Sequence, residues 1–366
     1  MPRFLITIDV EDWFQVENLR PWVPVSTWDR RELRVEASVH KLLDLFDSVN
    51  RAPGTSQPNP VNPVGSNSFF TFNPTNSTNL PFRAPCTGSR APSSTVSSTF
   101  FVLGWLACQR LPHLVREIAA RGHEVGSHGM SHRMCSRLSV AELRSELSGS
   151  RQLLEDITGA EVAGFRAPNF SVDDRVLSIL QSCGYRYDSC YNSFSLHGRY
   201  GRISLNGQPR AGIAWKLSEN FFELPVSNLF VSPFSILGTS GPLAHFRHFH
   251  LPWSGGAYFR LLPFRFFRYG VRKILERQEA YLFYAHPWEF DPGQPRVEEA
   301  SRFARFKHYT NIEAATAKLA RLIRSFSGCD FMTCREYLGS IGHADSPLNK
   351  KTPHRRDAQS AEGWVS

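Results

Sequence analysis

The chain opens on a dense apolar run, Phe4-Leu-Ile-Thr-Ile-Asp9, which predicts a short buried strand. From Glu36 to Val49 the spacing changes to threes and fours. Val39, Leu42, Leu43 and Phe46 fall on one face, as in an amphipathic helix. Ser98-Thr-Phe-Phe-Val-Leu103 predicts the next strand, followed by a helix over Trp105 to Arg121 that Gly122 closes. His123 to Ser127 reads as a strand. Ser139 with Glu142 makes a capping box that opens a helix to Thr158. Gly164 to Pro168 is a strand end, and Asp173 opens a helix reaching Cys183. Strands at Tyr185 to Ser189 and Phe221 to Val226 follow, then a helix over Leu261 to Glu276. Tyr281 to His286 is a late buried strand, Ile312 to Phe326 a last helix and Phe331 to Thr333 a short final strand.

Strand alternating with helix over short links predicts parallel strands joined by crossover helices. That pattern alone leaves a barrel and an open doubly wound sheet both standing. The polar clusters favour the barrel: Asp9 to Asp12, His128, Arg166, Asp188 and His286 fall at or just past strand C-termini, where a barrel keeps its active site. Residues 51–98 break the pattern. Pro, Ser, Asn, Thr and Gly fill 32 of those 48 positions, too few apolar groups to offset the entropy of ordering. The stretch reads as a disordered insertion, with Phe69, Phe70, Phe72 and Phe82 leaving a loop packed on the body as the second option. Residues 1–342 are expected to form one domain, extended from about 290 onward, and 343–366 a frayed basic tail.

At 366 residues the length allows two domains of roughly 150 residues or a single α/β barrel. Hydrophobic residues at 41% exclude global disorder. No apolar run reaches about 18 residues, so no membrane span is expected. Acidic residues arrive by Asp9, which argues against a signal peptide and for a cytoplasmic location. The net charge of +9 is diffuse, densest at Lys350, Lys351, Arg355 and Arg356 and at Arg265, Arg268, Arg272 and Lys273. No zinc-finger or RNP-type motif accompanies it, so no nucleic-acid partner is expected. Seven cysteines without a CxxC pair read as reduced thiols, and the spacing of Cys329 and Cys334 matches no common zinc module.

The candidate chemistry starts at Ser127-His128-Gly-Met-Ser-His132. Two histidines four apart after a strand converge on one cation if the turn is helical, although the spacing also arises by chance among 13 histidines. Asp9, Glu11 and Asp12 crowd the end of a buried strand and repel one another unless a cation or an arginine is near. Two imidazoles and one carboxylate leave positions open on Zn²⁺ or a similar divalent ion, where a water can lose a proton near neutral pH. His286 in Ala285-His-Pro-Trp-Glu289 is the candidate acid, and Arg166 can fix a carboxylate.

The order Thr7-Ile-Asp9, Ser98-Thr-Phe-Phe101, Gly122-His-Glu-Val-Gly-Ser-His128 with His132, Arg166-Ala-Pro168, Tyr187-Asp-Ser189 and His286-Pro287 resembles the polysaccharide deacetylases with NodB homology. The opening Asp9-Val-Glu-Asp12 with Trp13 and Phe14, His286-Pro-Trp-Glu-Phe-Asp-Pro292 and Lys307-His-Tyr-Thr-Asn311 are similar to the subgroup found beside exopolysaccharide export and exosortase systems. The resemblance covers about residues 3–340 without the insertion, and implies a distorted (β/α) barrel. It implies His128 and His132 as metal ligands, Asp9 as general base, Arg166 as the group that orients it and His286 as general acid, with Asp188 tuning His286. Many members carry two adjacent aspartates, but here Val10 follows Asp9, so the third ligand falls to Glu11 or Asp12. Strand alternation puts Glu11 on the side of Asp9, and a bend would bring in Asp12. The resemblance further implies removal of N-acetyl groups from amino sugars of a polysaccharide or its precursor, with zinc, or else cobalt or nickel, as the ion. The implied partners are an N-acetylated polysaccharide or oligosaccharide and the exopolysaccharide machinery. Trp13, Phe14 and Trp288 are candidates either for sugar stacking or for the core. An allantoinase-like hydrolase of a small amide and a carbohydrate-binding homologue without activity are the alternatives on the same barrel.

Overall fold

In a computed structural model of the chain, residues 1–50, 96–194, 202–231 and 249–342 are described. β1 (Arg3–Val10) is buried along both faces, with Phe4, Leu5, Ile6 and Ile8 fully covered, as a strand inside a parallel sheet must be. α1 (Val35–Asn50) turns Val39, Leu42, Leu43 and Phe46 into the core. The expected alternation follows: β2 (Thr99–Val102), α2 (Gly104–Gln109), α3 (Pro112–Ala120), β3 (Glu124–Ser127), α4 (Val140–Thr158), β4 (Gly164–Phe165), α5 (Asp174–Ser182) and β5 (Tyr187–Asp188). The Ser139 capping box and the Asp173 N-cap are both formed. β6 (Arg210–Ala211), β7 (Ala214–Ser218) and β8 (Phe221–Glu223) come next, then a ribbon of β9 (Asn228–Val231) and β10 (Phe249–Pro252). The chain continues through α6 (Gly256–Leu261), α7 (Phe264–Gln278), β11 (Ala280–Ala285), α8 (Arg302–Tyr309), α9 (Ile312–Ser325), β12 (Asp330–Met332) and α10 (Cys334–Gly342).

The main sheet has ten strands in the order β11-β1-β2-β3-β4-β5-β8-β7-β6, with β12 also paired to β1. From β11 to β8 all pairs are parallel. The sheet curls. Beyond β8, Ser227 N donates to Leu282 O of β11 at 3.4 Å, and Leu282 N donates to Ser227 Oγ at 2.9 Å. The two ends of the parallel run thus meet, and the architecture is a distorted (β/α) barrel.

Four expectations change. The helix expected over Trp105 to Arg121 is two, because Pro112 has no N–H to continue α2 and instead opens α3. Pro263 likewise divides the segment read as one helix from Leu261. β6–β7–β8 and β9–β10 are antiparallel, and α8 and α10 have no counterpart in the expected elements. Val96 and Ser98, counted with the insertion, are buried in the body, where Ser98 Oγ meets His123 Nδ1 at 3.0 Å. Residues 51–95 of the insertion and the basic tail lie outside the described residues. Among the described residues no helix is long and apolar enough to cross a membrane.

Candidate active site

The polar clusters meet at the C-terminal ends of the parallel strands. Asp9 and Glu11 end β1, His128 follows β3, Arg166 follows β4 and His286 follows β11. Arg166 is fully buried and spends its guanidinium on four fixed acceptors. Nη1 donates to Asp9 Oδ1 at 2.8 Å and Thr7 Oγ1 at 2.7 Å, Nε to Ser189 O at 2.9 Å, and Nη2 to Ser189 Oγ at 2.8 Å. The Thr7 hydroxyl is free to accept because its own proton goes to Phe283 O of β11 at 2.8 Å. Burial alone would push the Arg166 pKa down, but Asp9 raises it. Such a pair is costly to bury unless every partner is in place, and here Asp9 Oδ1 is held while Oδ2 faces His286 Nε2 at 3.9 Å.

His128 and His132 reach one point, though not through the helical turn expected from their spacing. The intervening loop has left-handed backbone at Gly129 (φ 78°) and His132 (φ 58°). Glu146 of α4 holds it, accepting from Met130 N and Ser131 N at 3.0 Å each and from Ser131 Oγ. Nothing in the sequence around Glu146 signals this, because the helix face that carries it is polar either way.

Glu11 is the acid at that point. His128 Nε2 lies 3.0 Å and His132 Nε2 2.9 Å from Glu11 Oε1, and one donor atom from each residue lies within 4.8 Å of the others. The donor chemistry tests the site. His128 Nδ1 is 2.8 Å from the Arg166 carbonyl oxygen, which can only accept, so in the neutral ring Nδ1 carries the proton and Nε2 a lone pair. A lone pair against a carboxylate oxygen is balanced only by positive charge between them, a proton on the ring or a cation held by both. Burial pushes the Glu11 pKa up, but positive charge at His132 and His286 and the closeness of His128 pull it well below the usual carboxylate range. Two imidazole nitrogens and an ionised carboxylate oxygen fit a divalent ion with positions left open.

Asp12 is the correction. Its Oδ1 accepts from Trp13 N at 2.8 Å, and its Oδ2 from Arg34 N at 2.7 Å and Val35 N at 2.9 Å. The carboxylate is spent on the turn after β1 and on the start of α1, outside the three-residue cluster. Burial still raises its pKa to about 6 against those three amides.

Asp188 is the second correction. Its carboxyl takes the Cys190 thiol at 3.0 Å and the Cys190 amide at 3.2 Å, and hydrogen-bonds to Glu223. Burial raises both acids of that pair. The group on His286 is instead Glu289, whose Oε1 lies 2.9 Å from His286 Nδ1. That spacing of three across a turn after a strand was legible in His286-Pro-Trp-Glu289. Burial would lower the His286 pKa, but Glu11, Glu289 and Asp9 carry it up to about 9.

Asp9, Glu11 and His286 line one cleft with Tyr258, Tyr284 and Trp288. Of the expected rim aromatics, Trp13 and Phe14 are core, packed with Trp28 and Trp105. Trp288 borders the cleft but is stacked between His286 and His308 at ring distances of 5.4 and 4.3 Å.

Residues 93–187 match the polysaccharide deacetylase family, and residues 189–339 match a domain of unknown function, DUF3473. A peptidoglycan-N-acetylglucosamine deacetylase of Bacillus cereus is 32% identical over 89 residues, 24% of this chain and 41% of that protein. The chain therefore spans less than half the length of that relative. Among solved structures, a Mycobacterium smegmatis protein provisionally described as a polysaccharide deacetylase is similar with a TM-score of 0.51 and 16% identity, covering 98% of this chain and 94% of that one. The Puue allantoinase is similar with a TM-score of 0.50 and 12% identity, covering 94% and 91%. Those two likenesses concern the fold alone. The family match and the relative over the histidine-bearing stretch, on this barrel, support membership of the polysaccharide deacetylase family of NodB type.

Proposed function

We propose that this chain is a metal-dependent hydrolase that removes N-acetyl groups from amino sugars of a polysaccharide or oligosaccharide. The observation that carries it is the arrangement around one cleft: Asp9 clamped by Arg166, Glu11 converged with His128 and His132, and His286 opposite Asp9. Glu11, His128 and His132 would hold the ion, whose charge would favour negative charge on the acetamide oxygen and lower the pKa of a neighbouring water. Asp9, with Oδ1 fixed by Arg166, takes a proton from the attacking water through Oδ2. The water oxygen adds to the carbonyl carbon. His286, with Nδ1 held by Glu289, gives its Nε2 proton to the departing amine as the carbon–nitrogen bond breaks, leaving acetate and a free amino sugar. Residues 1–342 act as one catalytic unit in this reading, because base, ligands and acid come from β1, the deacetylase-matched stretch and the second matched stretch in turn. Zinc as the ion rests on the mixed nitrogen and oxygen donor set. An exopolysaccharide setting rests on the His286-to-Pro292 and Lys307-to-Asn311 motifs.

The test is acetate release from N-acetylglucosamine oligomers by the zinc-loaded protein. Asp9→Asn and His286→Ala should each lower kcat by roughly 10²-fold or more, the usual worth of a general base or acid. A folded Asp9→Asn variant that releases acetate at the wild-type rate would refute the assignment.

A further inference from the structure

Two segments of the 189–339 stretch are not used by the reading above, Gly255-Gly-Ala-Tyr-Phe-Arg260 and Lys307-His-Tyr-Thr310, and both reach the Glu289 that holds His286, the second through Arg260. These segments meet behind His286. Arg260 is buried, as is Glu289, and Arg260 Nε donates to Glu289 Oε2 at 2.7 Å. Arg260 Nη1 donates to His308 O at 2.9 Å and Thr310 O at 2.7 Å, and Nη2 to Lys307 O at 3.1 Å. These are carbonyls at and just past the end of α8, which lack partners within a helix. Glu289 Oε1 meanwhile takes His286 Nδ1 and, at 3.2 Å, the His286 backbone N–H. Both carboxylate oxygens are thereby committed, and the carboxylate cannot rotate. Trp288 closes the arrangement, its ring within 22° of parallel to His286 and 13° of parallel to His308.

We propose that Arg260 is a positioning residue for His286: fixed by the end of α8, it locks the Glu289 carboxylate, which sets the imidazole with Nε2 toward Asp9. The proposal rests on the reading of His286 as proton donor, and gives the stretch of undescribed function a definite part in the active site. An apolar pair of similar volume would serve stability about as well, whereas the Arg260–Glu289 pair also fixes the direction of the carboxylate that meets His286 Nδ1. The low Glu289 pKa, about 2, agrees: burial opposes ionisation, and Arg260 and His286 override it.

The test compares Arg260→Met, Arg260→Lys, Glu289→Gln and the Arg260→Met/Glu289→Gln double variant in the full-length, zinc-loaded protein. Each of Arg260→Met and Glu289→Gln should lower kcat by about 10- to 100-fold, with KM and bound zinc unchanged, since only a group aligned for the transition state is disturbed. Arg260→Lys should recover part of the loss. The double variant should fall no further than the worse single, and Glu289→Gln should cost nothing more in a His286→Ala background. Losses that multiply would overturn the proposal, as would a folded Arg260→Met variant at wild-type kcat. Histidine ¹⁵N NMR reads the same orientation without turnover, with His286→Ala giving the assignment. The hydrogen-bonded His286 Nδ1–H signal should be present in the wild type and lost or broadened in Arg260→Met and Glu289→Gln. Should Arg260→Met not fold, Arg260→Lys, which keeps the charge but cannot reach Glu289 and all three carbonyls at once, carries the comparison through kcat and the His286 Nδ1–H signal. An unchanged signal overturns the proposal whatever the activity; a wild type that releases no acetate but shows the expected NMR change counts against the deacetylase reading instead.

Discussion

Glu146→Ala should weaken metal binding without touching a ligand. His132 sits in left-handed backbone, φ 58°, which costs a non-glycine residue about 1–3 kcal/mol and must be held by its surroundings. Glu146 supplies much of that hold through Met130 N, Ser131 N and Ser131 Oγ. Hydrogen bonds to a charged group contribute roughly 1.5–3 kcal/mol each when buried. Glu146 is half-buried, so water recovers part of the loss, and the loop keeps the bonds from Gly104 N to Gly129 O and from Trp105 N to Met130 O. A net loss of about 2 kcal/mol in loop order is the reasonable figure. It acts on affinity by reducing the fraction of chains in which His132 is placed to bind, and about 2 kcal/mol corresponds to roughly 30-fold in Kd. Zinc titration in competition with a chromophoric chelator measures this directly. His128, fixed from the other side by the Arg166 carbonyl, should keep residual affinity above that of His132→Ala. A Glu146→Ala protein with wild-type circular dichroism and a zinc Kd within threefold of wild type would refute the account of how the loop is held.

Glu11→Gln should abolish tight zinc binding, whereas Asp12→Ala should leave zinc bound and lower Tm, because its carboxylate caps the start of α1; loss of a cap costs about 1–2 kcal/mol. Zinc content and thermal melts of the two variants separate them. His308 is driven down to about pH 3 by burial, with Arg260 adding to it, while the unfolded ring takes a proton below about 6.5. The unfolded state therefore binds the extra proton between those values. The His308 contribution is whole above about pH 6.5 and falls by up to about 1.4 kcal/mol per unit as pH drops toward 3. Urea melts from pH 7 to 4 should show a shallower acid loss in His308→Gln. Gly212 turns the β6–β7 hairpin with φ 58°, and a Cβ there would clash with Tyr337 Oη. Gly212→Ala should lower stability by about 1–3 kcal/mol in a thermal melt.

The parallel strands were legible because each is a short apolar run followed at once by a polar group with a chemical task. Thr7-Ile-Asp9 and Tyr281 to His286 show both halves of that signal in six residues or fewer. β6 and β7 escaped it: β6 has two residues and β7 alternates Trp215 with Lys216 in a half-buried strand, so neither shows a continuous apolar run. α8 escaped because its periodicity is inverted at the surface, with Phe303 and Phe306 exposed while His308 is buried. At the site, the choice between Glu11 and Asp12 turned on side-chain direction after the strand ends. That depends on which backbone amides lie nearby, here those of Arg34 and Val35, more than twenty residues away along the chain. The assignment of Asp188 to His286 failed for the same reason. A partner for a strand-end histidine is set by the turn that follows its own strand, and Glu289 is in that turn.

Topology explains why the acids of the first strand can serve both sides of the cleft. β1 is central, with β11 on one flank and β2 on the other, and β12 occupies only the lower part of its edge, at Arg3 to Leu5. β11 therefore delivers His286 beside Asp9, while β3, one strand further along the other flank, delivers His128 to Glu11. Asp9 and Glu11 are two residues apart, which puts both on the same side of an extended chain, yet they face different partners because the chain turns at Val10, where Glu11 N bonds to Asp9 O at 2.9 Å. With two adjacent aspartates, the base and the ligand would be consecutive residues. Spacing them by Val10 requires that turn, and the longer Glu11 side chain spans the added distance to the histidines. Glu11→Asp tests the point: one methylene shorter, it keeps the charge but should bind zinc more weakly by tenfold or more, and wild-type affinity in that variant would show that the turn rather than the side-chain length sets the reach.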